Sequence, residues 1–297
     1  MGFEKVNFFV EKEIRAFRFV MNVLACPMKD AQRYIDKHRL FCENHIVSNK
    51  SKFIKGNISL VIFKPKSKGL LPIFTTPDFA FFDKPSGLLV HPKNRKTPYS
   101  LTDEVKYHFG MNANIVHRID KETSGLVLAA RDRKTEIFFK NAFQNKKIKK
   151  GYLAIVKGKL EHNFLIDKPI KINRDYSKIK IKVFIDDAGR DAKTIIKPIY
   201  YDPVNDTTLI EALPLTGRQH QIRVHLFHVK HPILGDPIYG VDYQTASDYL
   251  DGILSENERI KKTGAKRLML HAYWIEFHHN ETKYKIYSKN TFYSSSF

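Results

Sequence analysis

The chain is poor in cysteine and has no long apolar run. Its 297 residues include only two cysteines, Cys26 and Cys42, which are too few for a disulfide framework. No stretch reaches the roughly 18 consecutive apolar residues that a transmembrane helix needs. The first residues, Met-Gly-Phe-Glu-Lys-Val-Asn, lack the basic and then apolar layout of a secretory signal. We therefore expect reduced thiols in a cytoplasmic protein that does not span a membrane.

Motifs for nucleotide cofactors and for zinc are also missing. The sequence contains no Walker loop, no Gly-x-Gly-x-x-Gly, no His-Glu-x-x-His and no Cys-x-x-Cys. One segment is crowded with histidines, and His225 and His228 have an i, i+3 spacing that could face one metal ion. The spacings of that cluster are not those of zinc sites, so we expect no metal. The missing nucleotide-binding motifs agree with the absence of a nucleotide cofactor. If the cluster did bind a metal ion, it would favour a metal-dependent nuclease as the alternative function. The histidines are His220, His225, His228 and His231.

Positive charge is in large excess. The chain has 51 Lys and Arg against 31 Asp and Glu, a net charge of +20. Residues 1–70 alone carry +8, from 14 basic and 6 acidic residues, so this quarter is more densely basic than the remaining 227 residues taken together, which carry +12. Such a field attracts polyanions. Without a strongly amphipathic basic helix for a membrane surface, nucleic acid is the preferred partner.

The hydrophobic pattern divides the chain near residue 65. Residues Ile14–Phe63 predict helix, turn, helix and short strands, with Arg33 and Lys37 around the second helix. Residues 64–72 are polar and rich in Pro and Gly, which is typical of a linker. We expect a small α/β module over residues 1–65, a linker over 66–78 and a larger domain over 79–297.

The larger domain is predicted to be α+β. Short apolar runs alternate with turn signals and a few helices, which favours a mostly antiparallel or mixed sheet with flanking helices. The predicted strands are Phe79–Phe82, Leu126–Ala130, Tyr152–Val156, Ile179–Ile185, Thr194–Tyr200, Thr208–Leu213, Leu268–Phe277 and Lys283–Tyr287. The predicted helices are Leu101–Phe109, Thr135–Gln144 and Gln219–Val229.

The most informative stretch is residues 117–128, His-Arg-Ile-Asp-Lys-Glu-Thr-Ser-Gly-Leu-Val-Leu. Asp120 lies between Arg118 and a Thr-Ser-Gly turn, just before an apolar run that is typical of a buried strand. By itself, such an aspartate is more often a turn cap than a catalytic group. The string resembles the catalytic motif of RluA-type RNA pseudouridine synthases, with Ile119 in place of the usual leucine.

Further blocks in the expected order resemble the same family. Asp83-Lys-Pro-Ser-Gly-Leu-Leu-Val-His-Pro92 resembles its first motif, and a block beginning at Lys149 resembles its tyrosine strand. Leu215-Thr-Gly-Arg-Gln-His-Gln-Ile-Arg-Val-His-Leu226 and the block that follows it resemble its last motif. Two positions depart from the pattern: Gly151, where threonine or another side chain is more common, and Gln219, which replaces a common threonine.

The resemblance implies roles for individual residues. Asp120 would be the essential catalytic residue, with Arg223 as its bidentate partner. Its carboxylate would either attack the sugar or abstract a ribose proton. Tyr152 would stack on the target base and help to remove the C5 proton, as a general base or through water. Ile222 would pack beneath the base, and Arg118 would fill the vacated stack or hold a phosphate. The other expected RNA contacts are His117, Arg218, Lys84, His91, Lys149, Lys150, Arg33 and Lys37.

The expected protein is thus a cofactor-free isomerase of uridines in structured RNA. Ribosomal RNA is favoured over transfer RNA, because the N-terminal segment resembles a small RNA-binding module found in a ribosomal protein and in many pseudouridine synthases. We expect a monomer without an obligate protein partner. The alternative is a non-catalytic RNA-binding or ribosome-assembly protein on the same fold, against which the presence of Asp120, Tyr152 and Arg223 argues.

Overall fold

The computed structural model describes residues 2–172 and 183–290. The chain forms two compact units. The first contains the residues up to Ser67 together with Pro92–Asp103, and the second contains Lys68–His91 together with the chain from Glu104 onward. None of the helices in these described ranges is long and apolar enough to cross a membrane.

The described residues form seven helices and sixteen strands. The helices are α1 (Ala16–Leu24), α2 (Met28–Asp36), α3 (Leu101–Phe109), α4 (Arg133–Gln144), α5 (Gln221–His228), α6 (Tyr243–Asp251) and α7 (Glu256–Thr263). The strands are β1 (Phe3–Arg15), β2 (Leu40–Cys42), β3 (His45–Ile46), β4 (Phe53–Phe63), β5 (Pro72–Thr75), β6 (Phe79–Lys84), β7 (Asn114–Ile115), β8 (Ser124–Ala130), β9 (Lys149–Lys157), β10 (Phe164–Asp167), β11 (Ile170–Ile172), β12 (Val183–Ile185), β13 (Lys193–Asp202), β14 (Thr207–Pro214), β15 (Leu270–His279) and β16 (Thr282–Tyr287).

The first unit is a four-stranded sheet that packs against α1 and α2. Its strand order is β1-β4-β2-β3, and the long strands β1 and β4 are antiparallel. The first helix was predicted to begin at Ile14, and that start was wrong. Ile14 pairs with Ile54 in the sheet after an irregularity in β1, so the helix begins at Ala16. Strand β1 was not predicted, because its many charged residues give no clear apolar run.

The second unit is built on one large mixed sheet. Its strands follow the order β10-β13-β14-β9-β15-β8-β6-β5, with β16 beside β15 and β7 beside β8. Every described pair in it is antiparallel except β8 with β15, which are parallel. The predicted α+β class with a mostly antiparallel, mixed sheet is confirmed.

The parallel pairing of β8 and β15 requires a glycine. A Cβ on Gly125 would lie 2.3 Å from the carbonyl oxygen of Ala272, and the residue has a φ of +104°. Ala272 also pairs with Tyr152 of β9. Gly125 therefore lets the start of β8, and the loop that contains Asp120, approach the strand pair that carries Tyr152.

A cluster of aromatic rings stabilises the sheet on the side of α4. The ring of Phe79 makes edge-to-face contacts with Phe139, Phe277 and Tyr284 at centroid distances of 5.1–5.5 Å. Phe79, Phe139 and Phe277 are almost completely buried. This core explains why the apolar runs of β6 and β8 were readily predicted as strands.

Most predicted elements of the second unit are present, and the differences lie in short or polar segments. Helix α3 has the predicted bounds, while α6, α7 and four short strands (β5, β7, β10 and β11) were not predicted. Strand β5 lies inside residues 66–78, the expected linker, because it pairs with the edge of β6. Of the strand predicted over residues 179–185, only Val183–Ile185 falls within the described residues.

Candidate active site

The loop before β8 holds Asp120 in place from two sides. The His117 Nε2 atom accepts a hydrogen bond from the backbone N–H of Leu128 at 3.0 Å, which ties the loop to β8. On the other side, Ser86 Oγ donates to the carbonyl oxygen of Glu122 at 2.6 Å, and Gly87 N–H donates to that of Lys121 at 2.9 Å. The turn predicted around Pro85 and Gly87 thus supports the loop directly.

Lys84 completes this support from inside the protein. Its side chain is completely buried, and Nζ donates to the carbonyl oxygens of Pro85, Leu88 and Lys121 at 2.8–3.0 Å. Burial lowers the pKa of Lys84 to about 7, although the charges of Glu122 and Asp120 oppose that shift. The prediction that Lys84 contacts RNA was wrong, since all three of its donors are used within the protein.

Arg223 on α5 joins Asp120 to a second carboxylate. Its Nη1 atom lies 3.1 Å from Asp120 Oδ2, across 103 positions of sequence. Its Nε and Nη2 atoms each lie 2.8 Å from one oxygen of Asp236. The predicted pair of Arg223 with Asp120 is therefore present, but the bidentate partner is Asp236, and Asp120 receives a single hydrogen bond.

Burial and charge oppose each other in this triad. Arg223 is 2% exposed and Asp236 is completely buried, whereas the side chain of Asp120 is 25% exposed. Burial disfavours the Arg223 charge, but the charges of Asp236 and Asp120 outweigh it and raise the pKa of Arg223. Burial likewise acts to raise the pKa of Asp236, yet Arg223 and two backbone N–H groups keep it below its usual value. The guanidinium is a fixed cation beside a partly exposed carboxylate.

His220 lies on the other side of Asp120. Its Nε2 atom is 3.7 Å from Asp120 Oδ2, and its Nδ1 atom is 3.1 Å from the hydroxyl of Tyr239. The Tyr239 hydroxyl also donates to the backbone oxygen of Val183 at 3.2 Å. Burial, and then the charge of Arg223, lower the pKa of His220 to about 4, so the ring is neutral near pH 7. Sequence reasoning weighed His220 only as a metal ligand and missed Tyr239, although both lie in the blocks that resembled the family.

Tyr152 lines the same cleft from β9. Its side chain is 8% exposed. Burial, and then the negative charge of Asp120, raise its pKa well above the usual value for tyrosine. The residue is therefore a neutral phenol near pH 7, which favours a stacking role over that of a general base.

The cleft has a volume of about 810 Å³ and is strongly cationic. Asp120 is the one carboxylate among the described residues that line it. Ile222 forms part of its apolar floor and is 6% exposed. The cations that line it are Arg118, Lys146, Lys149, Lys150, Arg218 and Arg223.

The remaining predicted contacts lie in different places. Arg218 Nε donates to the carbonyl oxygen of Asp191 at 2.9 Å while still lining the cleft. His91 is exposed and does not line the cleft. Arg33 and Lys37 are exposed in the first unit, on α2 and directly after it.

Two histidines of the cluster form hydrogen bonds within the fold. His225 Nδ1 lies 2.9 Å from Thr194 Oγ1, and its Nε2 lies 3.0 Å from the carbonyl oxygen of Lys168. His231 Nδ1 contacts the carbonyl oxygen of Lys157 at 2.7 Å. Within residues 2–172 and 183–290, no group of three or more His, Cys, Asp or Glu side chains is arranged to hold a metal ion.

Comparison with known proteins gives the same picture. The family model for RNA pseudouridylate synthase matches residues 78–228, which include Asp120, Tyr152 and Arg223. The chain is 40% identical to an uncharacterized RNA pseudouridine synthase of Helicobacter pylori (strain ATCC 700392 / 26695), over 97% of this chain and 94% of that protein. It is 33% identical to tRNA pseudouridine synthase C of Pasteurella multocida, over 72% and 88% of the two chains.

A solved structure shares the fold. Human RNA Pseudouridylate Synthase Domain Containing 1 superposes with a TM-score of 0.56 and 20% identity, covering 77% of this chain and 86% of that one. The match of the family model includes the acid, the tyrosine and the guanidinium that meet in one cationic cleft. With the near full-length similarity to the Helicobacter relative, it shows that the chain belongs to the family of RNA pseudouridylate synthases.

Proposed function

We propose that the protein isomerises selected uridines in structured RNA through Asp120, without metal or cofactor. The observation that carries this proposal is the placement of Asp120, which is hydrogen-bonded to buried Arg223 and is the one carboxylate beside six cations among the described residues that line the cleft. Such surroundings attract the phosphates of the substrate. They also leave the acid partly exposed to a bound nucleotide.

The target nucleotide must leave the helical stack before the acid can reach its sugar. Flipping costs a few kcal/mol, and contacts in the cleft offset that cost. A cleft of about 810 Å³ accommodates a nucleotide. Arg118 is exposed beside Asp120, where its planar guanidinium can occupy the vacated stack or bind a phosphate.

The chemistry then takes place on a trapped base. Asp120 either attacks C1′ or removes a ribose proton, and the C1′–N1 bond breaks. The uracil turns over and C5 bonds to C1′, while Asp120 leaves C1′ or returns the ribose proton. C5 loses its proton and N1 gains one, so the product is an isomer of the substrate and Asp120 is regenerated. We infer that Tyr152 stacks on the base as a neutral phenol while the proton leaves through water, because the pKa of Tyr152 is raised. Ile222 supports the base from below.

We further propose that the substrate is ribosomal RNA and that the enzyme works as a cytoplasmic monomer. The basic first unit, with exposed Arg33 and Lys37, would add sequence-independent contacts to RNA phosphates. The Pasteurella relative is named for tRNA, so transfer RNA is the second substrate class to test. Pseudouridine maps of both RNA classes, from cells with and without the gene, identify the modified uridine.

The catalytic role of Asp120 is tested with Asp120→Asn, which keeps the shape and removes the charge. We expect pseudouridine formation to be lost while RNA affinity changes little. Asp187→Asn, at an exposed acid of the same unit, is the matched control and should retain activity. Wild-type activity in Asp120→Asn would remove the residue from its role. RNA binding by wild-type protein without any pseudouridine formation would favour the non-catalytic RNA-binding alternative.

A further inference from the structure

The only tryptophan of the chain lies in the active-site cleft. Trp274 is on β15, lines the cleft together with Tyr152 and Asp120, and is only partly buried. A large aromatic side chain that stays partly exposed in a polar cleft is available to cover a flat, apolar ligand surface. None of the mechanistic steps above uses it.

The backbone at position 151 is shaped to receive this ring. Gly151 is the cross-strand partner of Trp274. A Cβ built on Gly151 would lie 2.1 Å from Nε1 and 2.4 Å from Cε2 of the indole, far inside van der Waals contact. The glycine that departs from the family pattern, next to Tyr152, is thus what allows the tryptophan to lie there.

The polar edge of the indole is fixed. Trp274 Nε1 donates to Glu211 Oε1 at 2.8 Å, and Lys197 Nζ lies 3.8 Å from the other oxygen of that carboxylate. With its one N–H donor satisfied, the ring can offer a ligand only its apolar surface and its π-electrons.

Lysines lie beside the ring and along the same cleft. Lys285 Nζ lies 4.8 Å from the centroid of the Trp274 ring, and Lys285 itself is exposed. Lys149 and Lys150 line the same cleft. An aromatic ring among lysines is the arrangement with which proteins bind single-stranded nucleic acid, since bases stack on the ring and phosphates contact the cations.

We propose that Trp274 stacks on an RNA base that flanks the flipped uridine. The inference rests on the proposed function and deepens it: Tyr152 receives the target base, and Trp274 receives an unpaired neighbour. Lys285 moves from the ring to a phosphate when the base arrives. Because every base has a flat face, this contact selects an unstacked flanking nucleotide rather than a particular sequence.

Fluorescence tests the contact directly, because all tryptophan emission of this chain comes from Trp274. The Asp120→Asn protein, which should bind without turnover, is titrated with a short oligouridylate while the anisotropy of labelled RNA reports binding. We expect the emission to be quenched in parallel with binding. Emission that stays unchanged when the RNA is fully bound would overturn the proposal.

Substitutions measure the contribution of stacking. Trp274→Leu should weaken oligouridylate binding by about five- to hundredfold, the range for loss of one stacked base, and Trp274→Phe should retain most of the affinity. Tyr243→Leu is the control, since Tyr243 is 59% exposed and lies outside the cleft. Wild-type affinity in a folded Trp274→Leu protein would contradict the proposal.

A second variant tests the role of Gly151. Gly151→Ala should displace the indole, shift its emission and weaken RNA binding like Trp274→Leu, and adding Gly151→Ala to Trp274→Leu should cause little further loss. Independent, additive losses would overturn the coupling.

Parallel assays of pseudouridine formation by the wild-type protein keep the two proposals separate. Activity with an unresponsive Trp274 rejects only the stacking contact. If no RNA is isomerised, the proposed function fails whatever Trp274 does.

Discussion

Two groups of cations lie near Asp120, and they differ in burial. The support cations, Lys84, Arg223 and Arg259, are 0%, 2% and 14% exposed. Each is bonded within the protein; Arg259, for example, lies 2.7 Å from Glu122. The rim cations are the more accessible group on the cleft wall, and the side chain of Lys149 is 76% exposed. The rim cations are Arg118, Lys146, Lys149, Lys150 and Arg218.

Buried and exposed cations therefore have different roles in this one site. A buried cation holds the loop of Asp120 in a fixed position, and removing it leaves its partners buried and unsatisfied. An exposed cation costs little to keep and acts on the RNA through long-range attraction. Substituting the support cations should therefore change stability, whereas substituting the rim cations should change RNA affinity.

The largest effect is expected for Arg223→Met. Asp236 would remain buried without its bidentate partner, so the free energy of unfolding should fall by about 3–5 kcal/mol, and pseudouridine formation should be lost. Arg118→Met is the matched control: it removes the same charge from an exposed position and should change stability by less than about 0.5 kcal/mol. Urea unfolding measures both. Equal stability of the two variants would break the distinction between support and rim.

A smaller loss of stability is expected for Lys84→Met. Three backbone carbonyl oxygens would lose their donor at a buried position, and a buried acceptor that stays unsatisfied costs roughly 1–3 kcal/mol. These partners are neutral, so the total should be smaller than for Arg223→Met, which leaves a buried charge unpaired. The free energy of unfolding should fall by a few kcal/mol, and RNA affinity should stay close to that of the wild type. Lys149→Met should show the reverse pattern. If Lys84→Met lowered RNA affinity without lowering stability, the result would contradict the internal role and indicate that Lys84 contacts RNA.

The buried histidines make stability depend on pH. Burial lowers the pKa of His220 and His271 to about 4 and that of His117 to about 3, from 6.5 in the unfolded chain. The unfolded chain therefore binds more protons below pH 6.5, and stability should fall from pH 6.5 to pH 4, by about 1.4 kcal/mol per pH unit for each histidine. Urea unfolding at several pH values should show a shallower fall in His220→Asn than in a variant of exposed His162. Identical slopes would contradict this assignment.

The smallest effects are expected at the rim and in the first unit. Replacing Lys146 and Lys149 by Ala should lower the salt dependence of RNA binding by about 0.7–0.9 in log–log slope per lost phosphate contact. Arg33→Ala with Lys37→Ala should do the same if the first unit binds RNA. Binding at a series of salt concentrations measures both slopes, and pseudouridine formation at saturating RNA should stay near wild type. An unchanged slope in the Arg33 and Lys37 variant would exclude that surface from RNA binding.

Much of the fold was predictable because the apolar runs of the second unit are buried in its sheet. The residues of strands β6 and β8 are buried, and helix α3 has the bounds predicted for it. Strand β1 and helix α7 escaped prediction because they are polar and mostly exposed. The pattern of apolar residues in a segment reflects which side chains are buried. Elements that bury little surface therefore have no clear apolar pattern from which they could be predicted.

The sequence alone determined the family, the cationic character and the identities of Asp120, Tyr152 and Arg223, because motifs record which residue types stand in which order. Only the tertiary structure decided which groups face each other. It directed the fork of Arg223 to Asp236, turned Lys84 inward, and brought Trp274 over Gly151. These outcomes depend on the pairing of β15 with β8 and β9 and on the packing of α5, which join segments far apart in the chain and leave no trace in local pattern.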